Sequence, residues 1–103
     1  MYRLSVHYGI PDDPQAFVDY YHSTHIPIAK KMRGLTAWNL TWIDRTDNDG
    51  VPGIFMIADL YAEDRSAMDD ILASPEGEAA AADVANFATG GARFHFGVQE
   101  DVI

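Results

Sequence analysis

Between Phe17 and Gly34 the chain gathers side chains that can carry or bind a proton: Tyr20, Tyr21, His22 and His25, then Lys30, Lys31 and Arg33. An imidazole titrates near neutrality, so it can act as acid or base or hydrogen-bond an oxyanion. Phe17, Tyr21, Thr24, His25 and Ile28 recur at i, i+4, i+7, i+8 and i+11, one stripe of a helix. His25 is therefore expected to face the core. Tyr21, one turn earlier, is placed to bond to His25 or to a ligand. The competing readings are a buried histidine bonded to a backbone carbonyl, and a tyrosine that simply packs. Tyr20 and His22 fall off the stripe and are expected to point away from it.

Other chemistries are poorly represented. His22 and His25 are three apart and straddle two helix faces, with His7 and His95 elsewhere. Zinc asks for three or four converging ligands, so no metal site is expected. The chain has no cysteine, which removes disulfides, thiolate ligands and cysteine nucleophiles. Asp47-Asn48-Asp49-Gly50 lacks the ligand pattern of a calcium loop and reads as a turn. No phosphate loop, dinucleotide fingerprint, nucleophile elbow or haem-ligand motif is present, and no cofactor is expected.

The chain is 103 residues long, 48% hydrophobic and 22% charged, which suits one domain over residues 1–103. Its net charge of −9 disfavours nucleic acid and anionic membrane surfaces as partners. No run approaches the ~20 apolar residues of a membrane span. No basic stretch followed by an apolar core stands at the N-terminus, so a cytoplasmic location is the expectation.

The elements that must position the histidines are legible from period and punctuation. Tyr2 to Tyr8 alternates as a strand, ended by Gly9 and Pro11. Asp12-Asp13-Pro14 starts a helix, with a kink or break expected near His25–Ile26 because Pro27 clashes inside a continuous helix. A short second piece runs to Met32, with Gly34 as its stop. Leu35–Ile43 and Gly53–Tyr61 read as strands joined by the polar turn from Asp44. Ser66–Ala73 is a helix, Ser74-Pro75-Glu76 starts another, and the alanine-rich run Glu78–Ala88 continues it to Gly90-Gly91. Ala92–Val98 is the last strand. The order is βαββαβ, an α+β ferredoxin-like fold with a four-stranded antiparallel sheet. Helices cover one face of such a sheet. The strand Gly53–Tyr61 is apolar on both faces, with Asp59 the exception, so the open face is expected to pack against a second copy as a homodimer.

The string Tyr20-Tyr21-His22-Ser23-Thr24-His25-Ile26-Pro27-Ile28-Ala29, followed by Gly34-Leu35, resembles the signature of the EthD-like family of the dimeric α+β barrel superfamily. The similarity runs on through Ala58–Tyr61, Ser74–Gly77 and Ala82–Gly91, essentially the whole chain. It implies a ferredoxin-like protomer whose sheet joins a partner's in a dimeric α/β barrel, with a pocket between sheet and helices. Its Thr-His-x-Pro motif falls on Thr24, His25 and Pro27, which moves the preferred reading of His25 to a pocket role. Asp83, Asn86 and Phe87 match the pattern near the final helix, with Asp83 read as structural, a cap or a buried bond to a strand.

The candidate catalytic residues are thus His25 and Tyr21. The candidate ligand contacts are Trp38, Phe55 and, on the resemblance, Phe87; Trp42, Phe94 and Phe96 serve either a pocket or packing. The resemblance leaves the reaction open. Oxygenase, decarboxylase, cyclase and isomerase activities on an apolar or aromatic oxygenated molecule all fit, so an oxidoreductase, lyase or isomerase is expected. A non-catalytic protein that binds a hydrophobic metabolite for a degradation pathway is the alternative.

Overall fold

The computed structural model describes residues 1–47 and 53–103. Strand β1 spans Tyr2–Gly9 and helix α1 spans Pro14–Tyr20; a π-helical turn, Tyr21–His25, leads into α2, Ile26–Ala29. Strands β2 (Ala37–Trp42) and β3 (Ile54–Ala62) follow, then α3 (Arg65–Ala73), α4 (Pro75–Asp83), a 3₁₀ turn at Val84–Asn86, and β4 (Ala92–Val98). The sheet is antiparallel in the order β2-β3-β1-β4, the ferredoxin-like arrangement expected. The turn expected over Asp44–Gly53 falls in part on 48–52, outside the described residues; on either side of it β2 and β3 pair antiparallel. No helix among the described residues is long and apolar enough to cross a membrane.

The helix ends follow local chemistry. Asp13 caps α1 by accepting from the Ala16 N–H at 3.1 Å, ahead of Pro14 at the first position. Asp64 caps α3 in the same way, at 2.8 Å from the Ala67 N–H. Ser74 serves two helices, donating to Ile71 O at 2.6 Å and accepting from the Gly77 N–H at 3.1 Å. Gly34 takes φ +105° after α2, a conformation closed to most L-residues, and so turns the chain towards β2.

Two local features matter for the site. The irregularity expected before Pro27 is a π turn rather than a break. The proline ring would meet the carbonyl one turn back in a regular helix. The chain instead widens into the π turn, in which the Ile26 N–H reaches Tyr21 O, and it continues as α2. Phe55 does not share a face with Ile57 and Tyr61. Tyr8 lies opposite Met56 but Gly9 lies opposite Ile54, so Phe55 is an inserted residue, a bulge. It turns to the helical side and meets Phe17 edge-on at 5.1 Å between ring centres.

The covered face of the sheet carries Leu4, Val6, Tyr8, Met56, Ala58 and Leu60, all buried against Phe17, Tyr21, Met68 and Ile71. The open face is more polar than expected. With Phe55 removed from it, Ile57 and Tyr61 share that face with Arg3, Ser5, His7, Asp59, Arg93 and His95. Arg3 Nε lies 3.2 Å from Asp59 Oδ1, an ion pair outside hydrogen-bond geometry. The large apolar groups left exposed on the strands lie elsewhere. Phe94, Phe96 and Val98 are 46%, 50% and 80% exposed on the helical side of edge strand β4.

Gly77 sets how closely α4 approaches the end of α3. A Cβ there would stand 2.2 Å from Ile71 O and 2.7 Å from Leu72 Cα, both backbone. Helix propensity alone favours Gly77→Ala by roughly 1 kcal/mol. The collision reverses the sign, and we expect the variant to lose about 1–3 kcal/mol as overpacked sites do. Urea unfolding monitored by circular dichroism reads this, and an unchanged or higher midpoint contradicts the close approach.

Candidate active site

Helix phase and the π turn bring Tyr21 and His25 inward together. Tyr21 is 1% exposed and His25 5%, with ring centres 5.0 Å apart. No hydrogen bond joins them, so Tyr21 packs against the imidazole rather than bonding to it. His22 lies on the surface as expected. It bonds through Nδ1 to Val18 O at 3.0 Å, and its ring stacks on Trp42 at 5.9 Å.

The partner of His25 comes from the other helical layer. Its Nδ1 lies 2.9 Å from Asp83 Oδ2, and Asp83 is itself only 6% exposed. Asp83 also accepts from Tyr20 Oη–H at 2.7 Å and from Asn86 Nδ2 at 3.0 Å, both on Oδ1. The carboxylate neither caps a helix nor bonds a strand, as had been expected of it; it holds the histidine. The 3₁₀ turn after α4 explains the third bond. In that tighter helix residues three apart lie one above the other, which sets Asn86 over Asp83.

Protonation states follow from this geometry. Burial pushes Asp83 up, but the hydrogen bonds from Tyr20, Asn86 and His25, with the nearby His25 charge, outweigh it and hold the carboxyl below its ordinary value. An ionised carboxylate only accepts, so His25 carries a hydrogen on Nδ1. Burial pushes the His25 pKa down; the Asp83 bond and charge oppose that without cancelling it. The neutral imidazole therefore keeps a lone pair on Nε2. Burial raises the Tyr21 hydroxyl far above its usual range, with the Trp38 indole N–H working against the rise.

A cavity of about 400 Å³ opens between the sheet and the helices, a size ordinary for small-molecule sites. Leu4, Val6, Ala58 and Leu60 form its floor, and Ala29, Met32, Ala80 and Val84 its helical wall. Phe94 and Phe96, the exposed aromatics of β4, border it. The side chains there with polar atoms are Tyr8, Tyr21, His25 and Trp38.

The structure thus gathers three of the five expected residues: His25, Tyr21 and Trp38 line the cavity. Phe55 and Phe87 do not. Phe55 is drawn away by the bulge to pack on Phe17 and Trp42. Phe87 lies behind the site, 4.8 Å from the His25 ring and 5.1 Å from Phe17, where it supports the imidazole. Tyr20, Asp83 and Asn86 are the members that sequence reasoning missed or misassigned. Tyr20 stands three residues after Phe17, on the flank of the inward stripe, and that spacing was the available signal. For Asp83 the signal was one acid on an otherwise alanine-lined helix face. Among the described residues no group of three His, Cys, Asp or Glu is placed to hold a metal ion.

The EthD domain family matches residues 11–91 of this chain. An uncharacterized 11.0 kDa protein in the thcB-thcC intergenic region of Rhodococcus erythropolis is 38% identical, over 100% of this chain and 99% of its own length. An ethyl tert-butyl ether d (EthD) family protein from Bacillus halodurans superposes with TM-score 0.88 at 27% identity, covering 97% of this chain and 99% of that one. Two remoter structures share the fold. SnoaB, a cofactor-independent oxygenase from Streptomyces nogalater, gives TM-score 0.64 at 15% identity over 99% and 95% of the two chains. A dimeric protein of ferredoxin-like fold from Bacteroides fragilis gives 0.61 at 11% identity over 92% of each.

The site predicts a pH dependence with a definite sign. His25 has a lowered pKa in the fold, so the unfolded chain binds a proton more readily below the ordinary 6.5. Asp83 is likewise lowered from 3.8. Both groups make the fold most stable above pH 6.5, with loss as pH falls through the folded His25 value and again in the carboxylate range. In Asp83→Asn the carboxylate support is gone while burial persists, so the His25 midpoint moves further down. An NMR titration of the imidazole carbons checks this; a midpoint that rises or stays in the variant contradicts the pairing.

Proposed function

The chain belongs to the EthD domain family, and from that premise we propose that it is a small enzyme acting on an apolar or aromatic oxygenated molecule held between sheet and helices. His25 is the acid–base group and works without a tightly bound cofactor. One observation carries the reading: an imidazole anchored through Nδ1 to a buried carboxylate borders an apolar cavity.

In this reading Nε2 accepts a proton from an acidic O–H, or from a C–H beside a carbonyl, on the bound molecule. The imidazolium that forms is stabilised by Asp83, whose other oxygen is held by Tyr20 and Asn86. The apolar walls exclude water, which strengthens that electrostatic pairing. Oxygenation, cyclisation and isomerisation of enolisable molecules can all begin with such a transfer, and decarboxylation can end with its reverse. The fold shared with SnoaB, a cofactor-independent oxygenase, lends support to the first of these. The rival reading is a carrier for a hydrophobic metabolite, favoured by the scarcity of polar atoms in the cavity.

The test begins with whatever molecule co-purifies in the cavity, identified by native mass spectrometry. Removing a general base usually lowers the rate by about 10²–10⁴, and His25→Ala should lose turnover of that molecule to this extent. Equal turnover and affinity in the variant overturn the assignment, and retention with no product over long incubation supports the carrier.

The reading includes a homodimer through the open sheet face, forming the dimeric α/β barrel. It is supported by the dimeric Bacteroides fragilis neighbour and by Ile57 and Tyr61 beside the mixed charges of that face. Light scattering on the eluted protein should give twice the chain mass of 11.4 kDa. A stable monomer removes this part of the proposal.

A further inference from the structure

Among the described residues three buried side-chain atoms have no hydrogen-bond partner: Trp38 Nε1, Asp59 Oδ1 and Glu76 Oε2. Two have an evident environment. Asp59 Oδ1 has the Arg3 guanidinium at 3.2 Å, and Glu76 lines an open groove beside Lys31. Trp38 Nε1 is different. It belongs to a residue of the apolar cavity, and a buried donor left unpaired carries its full desolvation cost.

We propose that Trp38 is the specificity-determining residue of the cavity, its indole N–H taking an acceptor oxygen of the ligand. The proposal rests on the cavity being the ligand site, as read above, and adds which oxygen chemistry it selects. Tyr21 stands between the two polar ends of the site. Its ring packs on His25; the Trp38 N–H is near enough to oppose the rise of its hydroxyl pKa, but no hydrogen bond of acceptable geometry joins the two. Burial keeps that hydroxyl protonated, so it supplies a second donor. The cavity residues therefore offer an acceptor at His25 Nε2 and donors at Trp38, Tyr21 and Tyr8, whose hydroxyl burial also keeps protonated. An apolar ring frame bearing a carbonyl oxygen satisfies this pattern. The same frame without the oxygen leaves the indole N–H unpaired.

Equilibrium binding of a matched pair tests this without any turnover. The ketone 2-acetylnaphthalene and the alkene 2-isopropenylnaphthalene differ only in C=O against C=CH₂. Calorimetry on the wild-type protein should give a preference for the ketone of about 5- to 100-fold, the scale of one satisfied buried donor. Trp38→Phe keeps an aromatic body and should bring the ratio of the two affinities to about one, whatever the smaller ring costs both ligands alike, with an unchanged circular dichroism spectrum certifying the fold. In the wild type, the ketone but not the alkene should shift the Trp38 indole N–H resonance in a ¹⁵N–¹H spectrum, assigned with Trp42→Phe. Equal affinities, or a preference that survives in Trp38→Phe, overturn the role of Trp38 and leave the cavity reading standing. Failure of both probes to bind overturns both.

Discussion

A buried imidazole keeps its place only if its N–H finds an acceptor, and in this protein the acceptor comes from a different helical layer. The bond from His25 Nδ1 to Asp83 Oδ2 ties the π turn after α1 to the end of α4. Much of the surrounding structure serves it. The π turn keeps Tyr21 and His25 on the inner side despite Pro27. Gly77 lets α4, which carries Asp83, pack directly on the end of α3. Phe87 fills the space behind the ring, and Tyr20 and Asn86 occupy the remaining carboxylate oxygen. A carboxylate buried with three donors, one of them a neutral histidine, is a stable arrangement, because the carboxylate oxygens and the Nδ1–H that leave water regain their bonds.

That pairing also fixes the chemical character of the cavity. With Nδ1 committed, the imidazole offers Nε2 as a base, and the walls supply an apolar surface that screens nothing. The polar atoms that remain are few: an acceptor on His25 and donors on Tyr8, Tyr21 and Trp38. Such a site recognises a molecule by its shape and by one or two oxygens. The family relation and the shared folds agree with this without naming a reaction, since one fold carries many chemistries.

Most of the architecture was legible in the chain. Period-two alternation located β1 and β4 to within a residue, and Asp13-Pro14 and Ser74-Pro75 marked two helix starts through capping chemistry that needs no tertiary partner. The stripe through Phe17, Tyr21 and His25 gave the inward face of the first helix. Two places misled. Alternation alone put Phe55 on the open face, because a bulge leaves no mark in a run that is apolar on both sides. The alanine run predicted one long helix, but its last turn tightens to 3₁₀ where Asn86 bonds Asp83.

The sequence by itself determined the fold class, the inward position of His25 and the apolar nature of whatever surrounds it. These follow from interactions between near neighbours and from hydrophobic periodicity, which one dimension records. Only the tertiary structure decided that Asp83, 58 positions along the chain from His25, is its partner, and that Tyr20 shares that carboxylate. It alone separated Trp38, which lines the cavity, from Phe55 and Phe87, which do not. A contact between distant elements depends on how helices seat on a twisted sheet. Propensity and spacing carry no term for that seating.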